Sequence, residues 1–226
     1  MYKVLLGVIG NGREDLLKQT TDSLCEKVNY PFYKKIMIND APSYALKMEE
    51  QYGREYHVIS HPENMGLSGS IRTLWEAAQI LDVDYIFHCE DDFTFNADIA
   101  DKIDQMIMIL RAQPHLWQVA LKRQPVNQAE AEAGGFMQQN PKSYLTHYMA
   151  NDPNIVWVEH KNFFTLNPCV YSIDITRPLW PKGGGEKEFG ERVFLNEESA
   201  CAYLGMIDDP PIVEHIGNYR GGNWFV

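Results

Sequence analysis

Apolar positions along the first half of the chain alternate between two periods. Val4 to Ile9 is a continuous apolar run of strand length that stops at Gly10-Asn11-Gly12, the mark of a buried strand and a turn. Leu16, Leu17, Leu24 and Val28 follow at helical spacing. Ile36-Met37-Ile38 predicts a second strand, closed by Asn39-Asp40-Ala41-Pro42, then a short polar helix to about Tyr52 and a third strand from Tyr56 to Ile59. Leu67, Ile71, Leu74, Ala78 and Leu81 share one helix face that leads into a fourth strand, Tyr85 to Cys89. Ile99, Ile103, Met106, Ile107 and Leu110 mark another helix, and Trp117 to Leu121 a fifth strand. Strands alternating with helices predict an α/β fold, doubly wound on a mostly parallel sheet, with ligands at the strands' C-terminal ends.

The second half is less regular. Gln124 to Tyr148 is rich in Ala, Gln, Glu and Gly and reads as a loop with one short helix. Ile155 to Val158 and Val170 to Ile173 are strand-like, Lys182-Gly183-Gly184-Gly185 is a hinge, and a helix is expected from Asn196 to Leu204. With no internal repeat and no long linker, one domain in two halves is predicted, 1–123 and 124–226. Its 226 residues are 45% hydrophobic, enough for a sizeable core.

Charge narrows the partners. Twenty Lys and Arg against 31 Asp and Glu give −11, which argues against sequence-blind nucleic-acid binding but leaves room for a local basic patch such as Lys122-Arg123. Cys25, Cys89, Cys169 and Cys201 are scattered without a C-x-x-C pair, so free thiols are expected rather than disulfides or zinc. No leader and no membrane-length apolar run is read; a soluble cytoplasmic protein is the expectation.

The run Asp84 to Cys89 ends in three consecutive acids, Glu90-Asp91-Asp92. Like charges at a strand's mouth repel, and become sensible where a divalent cation and a phosphate absorb them. Two nucleotide folds are disfavoured: Asp15 stands where the G-x-G-x-x-G fingerprint needs its third glycine, and no P-loop pattern is present.

Five segments occur in order: Gly10-Asn11-Gly12-Arg13 after the first strand, Asn39-Asp40 after the second, Asn64-Met65-Gly66 opening a helix within Glu63 to Ser70 with Arg72 a turn further on, Glu90-Asp91-Asp92, and His215-Ile216-Gly217 followed by Arg220. This pattern resembles a glycosyltransferase of the GT-A fold, near the large inverting family-2-like group, over nearly the whole chain. The resemblance implies that 1–123 binds a nucleoside-diphosphate sugar and 124–226 binds the acceptor. It assigns Gly10, Asn11, Arg13, Asp40, Asn64, Gly66, Ser70, Arg72, Glu90, Asp91 and Arg220 to the donor. It assigns Asp92, His215 and Glu90 to Mn²⁺ or Mg²⁺, with Glu90 in place of the usual first Asp of D-x-D and better suited to ribose or water. His215 read alone is equally a histidine capping a strand. Nitrogen ligation favours Mn²⁺ weakly.

An inverting transfer needs a general base. The resemblance gives Glu186, with Glu188 as runner-up; the plain alternative is that the glutamates of this segment form a solvated first helical turn. Asn162 to Pro168 is a candidate lining of the acceptor cleft, Lys182 and Arg220 are candidate diphosphate clamps, and Gly221-Gly222 a candidate lid. Trp75 reads as core. The implied activity is metal-dependent transfer of a sugar, most simply UDP-linked, to a hydroxyl acceptor with inversion, the acceptor being a glycan, small molecule, protein or modified nucleobase. Two alternatives stay open: a nucleotidyltransferase that makes a nucleotide sugar, and a non-catalytic nucleotide-sugar-binding protein.

Overall fold

A computed structural model describes residues 2–176 and 180–217 of the chain. The first half runs β1 (Val4–Gly10), α1 (Glu14–Lys27), β2 (Lys34–Asn39), α2 (Ala45–Tyr52), β3 (His57–Ser60), α3 (Gly66–Ile80), β4 (Tyr85–Glu90), β5 (Phe93–Phe95), α4 (Ala100–Ala112) and β6 (Leu116–Ala120). The second half adds α5 (Gln128–Ala133), β7 (Leu145–Met149), β8 (Asp152–His160), β9 (Cys169–Ser172), α6 (Glu186–Val193), β10 (Ala200–Leu204) and β11 (Val213–His215). Nine strands form one sheet in the order β3-β2-β1-β4-β9-β6-β10-β8-β7, and β11 pairs with β5 in a separate ribbon.

The strands β3-β2-β1-β4 are parallel. β9 enters antiparallel between β4 and β6, β10 lies parallel to β6, and β8 and β7 close the edge antiparallel. All seven residues of β1 are buried, as expected of a central strand covered on both faces. The apolar stripes of α1 and α4 pack on one face with Met37 and Phe87; α3 and α6 pack on the other with Leu5 and Ile9. Trp75 is core as expected: it is 2% exposed, donates to the Tyr171 hydroxyl at 3.0 Å, and meets Trp180 and Phe189 edge-on.

Two expectations are corrected and one open possibility is closed. Residues 200–204 form the buried strand β10 rather than the end of a helix; a short run such as Ala200-Cys201-Ala202-Tyr203-Leu204 satisfies both periods, and the helix of this region is α6. The segment 124–148 holds, besides α5, the edge strand β7, whose exposed and polar positions hid it. Lys122 and Arg123 make no basic patch. The Lys122 ammonium is buried and donates to the carbonyls of Met206, Ile207 and Asp209, and burial lowers its pKa to about 8. Arg123 pairs with Glu130 at 2.9 Å and lies over the Phe136 ring. All four cysteines are free thiols. No helix among the described residues is long and apolar enough to cross a membrane.

Candidate active site

Parallel pairing of β1 with β4 sets Ile9 against Glu90, so the turn after β1 abuts the acidic triplet. Gly12 turns the chain there with φ +68°, and a Cβ would lie 2.7 Å from that of Ala41. Asn11 N–H donates to Asp91 Oδ2 at 3.0 Å. The guanidinium of Arg13 spans both aspartates. Its Nε reaches Asp91 Oδ2 at 3.3 Å, Nη2 bonds Asp91 Oδ1, and Nη1 bonds Asp92 Oδ2. Burial drives the Asp91 pKa above its ordinary value against the pull of Arg13 and the Asn11 amide. Burial pushes Asp92 the same way, but His215 and Arg13 together outweigh it and hold Asp92 below the usual range.

The ribbon of β5 and β11 brings in the late histidine, setting His215 opposite Phe93. The Gln124 side chain clamps the His215 backbone, accepting from its N–H at 2.9 Å and donating to its carbonyl at 3.0 Å. His215 Nε2 stands 3.2 Å from Asp92 Oδ2, its ring centroid is 4.8 Å from that of Phe93, and Ile216 N–H donates to the Asp92 carbonyl. Adjacent ligands of an octahedral ion with bonds of about 2.0–2.1 Å lie roughly 3 Å apart, the separation of these two atoms. Asp92 Oδ1 is buried and accepts no hydrogen bond from the described residues. Asp92 and His215 therefore fit a divalent ion. Among the described residues, no three His, Cys, Asp or Glu side chains are grouped closely enough to hold one ion. Glu90 lines the cleft, its pKa well raised by burial and by the nearby charges of Asp92 and Glu186.

Asp40 and Asn64 knit the neighbouring loops. Asp40 is 2% exposed, and its Oδ1 meets Met65 N–H and His61 Nδ1, both at 2.7 Å. His61 Nε2 meets Thr73 Oγ1 at 2.8 Å on α3. Asn64 donates to the Asp40 carbonyl at 3.0 Å and to Asn11 at 3.4 Å, and its Oδ1 accepts from Gly66 N–H at 3.2 Å. Ser70 is fully buried in α3, Arg72 is half-buried on the same helix, and neither lines the cleft.

Across the cleft, the N-terminus of α6 separates its glutamates. Glu188 is exposed and caps the helix, accepting from Gly185 N–H at 2.8 Å. Glu186 turns inward and accepts from Leu166 N–H; burial, only partly offset by that bond, Thr165 and Arg123, raises its pKa. Arg13, Glu90, Asp92, His215 and Glu186 all line one cleft of about 930 Å³. Asn162, Phe163, Phe164, Thr165 and Asn167 line the same cleft, while Leu166 is core. Lys182 is exposed on the preceding loop; Arg220 and Gly221-Gly222 lie outside the described residues. Arg123, Lys187 and Phe194 as cleft residues, and His61 and Gln124 as supports, carry no signal in the sequence, because each reaches its place through tertiary contacts.

No protein-family model matches the sequence, and no curated protein matches it. Among solved structures, S. aureus TarS aligns over 94% of this chain and 36% of its own, with a TM-score of 0.62 and 13% identity. TarS 1-349 in complex with UDP aligns over 94% and 60%, at 0.58 and 13%. GalNAc-T7 with UDP, GalNAc and Mn²⁺ aligns over 95% and 44%, at 0.64 and 11%. The chain thus spans less than two thirds of each of these proteins, and at such identities the likeness is one of fold.

Proposed function

We propose that this chain, which has the GT-A fold of those glycosyltransferases, transfers a sugar from a nucleoside diphosphate, UDP first, to an acceptor hydroxyl with inversion. The observation that carries the reading is the meeting of Asp92 and His215, 123 positions apart (215 − 92), opposite Glu186 in one cleft. The complexes of TarS 1-349 with UDP and of GalNAc-T7 with UDP and Mn²⁺ support the choice of donor and ion.

In this reading the nucleoside lies against the turn Gly10 to Arg13 and Asn64, and the diphosphate lies over Asp92. Mn²⁺ or Mg²⁺ held by Asp92 and His215 would act as a Lewis acid toward the departing diphosphate. Asp91 and Gln124 position the charged groups: Asp91 holds Arg13, and Gln124 holds His215. The acceptor hydroxyl attacks the anomeric carbon as the bond to the diphosphate breaks. Glu186, ionised, takes the hydroxyl proton. Phe163 and Phe194 offer apolar surface to the acceptor.

A thermal-shift panel of UDP-, GDP-, ADP- and TDP-sugars with and without Mn²⁺ tests this reading. A UDP-sugar with Mn²⁺ at about a hundred times its dissociation constant should stabilise the fold by about 2.7 kcal/mol. Asp92→Asn should stay folded, lose that shift, and lose hydrolysis and transfer of the sugar. Undiminished turnover in Asp92→Asn or in excess chelator rejects the mechanism; release of pyrophosphate from UTP and a sugar phosphate would indicate a nucleotidyltransferase instead.

A further inference from the structure

Asp92 already carries a cationic partner in Arg13, and the proposed ion would be a second. Asp92 Oδ2 is already engaged by Arg13 Nη1 and His215 Nε2, and Gly217 is packed so closely behind it that a Cβ there would stand 2.1 Å away. An ion bound to Asp92 would face the Arg13 guanidinium across that oxygen, and like charges at such range repel strongly where water is scarce. The two contacts of Arg13 are unequal. Asp91 takes Nε and Nη2 on its two oxygens and is further fixed by Asn11 N–H, whereas Asp92 takes Nη1 alone. A guanidinium held on one edge and lightly engaged on the other can release Asp92 without leaving Asp91.

Resting on the reading that Asp92 and His215 hold the ion, we infer that Arg13 is the resident counter-cation of Asp92 and is handed to the donor's diphosphate when ion and nucleotide enter together. Arg13 lines the cleft, so the freed Nη1 edge meets the space in which the phosphates would lie, and a guanidinium pairs with phosphate oxygens at least as well as with carboxylate. Asp91 is then the anchor about which Arg13 turns, and no ion ligand. The consequence is synergy: without nucleotide the ion must take Asp92 from the Arg13 Nη1 edge with no phosphate there to replace it, and with nucleotide the displaced edge finds a new partner.

Mn²⁺ binding followed by the EPR signal of the free ion tests this without any turnover. The wild-type chain should bind Mn²⁺ weakly alone and at least tenfold more tightly with UDP. Arg13→Met should bind Mn²⁺ at least tenfold more tightly than wild type without UDP and lose most of the gain that UDP gives. Arg13→Lys, which keeps the charge but not the fork, should fall between them. Because Arg13→Met takes the guanidinium from two aspartates, its thermal stability is measured as well, and Mn²⁺ should raise its Tm more than that of wild type. Equal Mn²⁺ affinity in Arg13→Met and wild type without UDP, or an undiminished UDP effect in Arg13→Met, overturns the Arg13 inference. If Asp92→Asn abolishes binding in that same experiment, the proposed ion site itself survives. Absence of Mn²⁺ binding in wild type with and without UDP overturns both.

Discussion

At the scale of single residues, the proposed chemistry involves two glutamates that burial pushes the same way. Glu186 and Glu90 both carry raised pKa values, with desolvation the largest cause in each, and the charge of Glu186 is among those that raise Glu90. A base with a raised pKa is stronger but is lost earlier on acidification, so the acid limb of transfer should lie above the ordinary carboxylate range. Glu186→Gln keeps an oxygen for Leu166 N–H and should cut kcat by roughly 10²–10⁴-fold with UDP binding unchanged. The same shift has a stability cost of definite sign. A carboxyl that holds its proton more tightly folded than unfolded stabilises the fold below its unfolded pKa, and that contribution disappears as pH rises through the folded pKa. Glu186→Gln should therefore melt above wild type at neutral pH, with the gap closing on acidification toward the unfolded pKa. Melting curves across pH check this, and a gap that widens in acid contradicts it. Glu188 illustrates the limit of sequence alone: both glutamates stand in the first turn of α6, and only packing reveals which faces inward.

At the scale of elements, the alternation of strands and helices through α4 was legible because each apolar run keeps one period over several turns. The acidic triplet and the late histidine were legible as candidates, and Asp92 and His215 do meet. The ribbon that joins them was not, since β5 and β11 are three residues each, too short for any period to register. The same brevity hid β10, where five buried residues suit helix and strand alike. Gly217 is a further silent position whose role is only spatial. A methyl group there would stand 2.1 Å from Asp92 Oδ2 and 3.1 Å from Arg13 Nη1, so the carboxylate must move from its present place. Overpacking of this kind costs about 1–3 kcal/mol. Gly217→Ala should weaken Mn²⁺ binding in the presence of UDP by tenfold or more by displacing the Asp92 carboxylate, while far-UV circular dichroism stays that of wild type. Unchanged Mn²⁺ affinity would mean that Asp92 is free to yield.

Across the whole molecule, the cleft is shared between two bodies of packing that the sheet keeps apart. α1 and α4 cover one face, and α3 and α6 the other. The strand order that achieves this could not be read locally: β9, from the second half, enters antiparallel between β4 and β6, a pairing set by distant partners rather than by its own four residues. The proposed base is tied to the second face. Glu186 opens α6, and Phe189, a turn later, stacks on Trp180 with centroids 4.6 Å apart and meets Trp75 and Phe164 edge-on. The groups proposed for the ion and diphosphate instead follow β1 and β4 and the ribbon. Disturbing one body should thus separate transfer from donor binding. Phe189→Leu should destabilise the chain by roughly 1–3 kcal/mol and lower the transfer rate per folded molecule, because Glu186 loses the packing that aims it, while UDP affinity holds. Ile103→Val on α4 should cost about 0.5–1.5 kcal/mol and leave the rate per folded molecule at the wild-type level. Rates corrected for folded fraction, set beside UDP titrations of both variants, decide the matter: equal rates would mean that α6 holds its place without the aromatic stack, and a parallel fall in UDP affinity would mean that the two bodies are not separate.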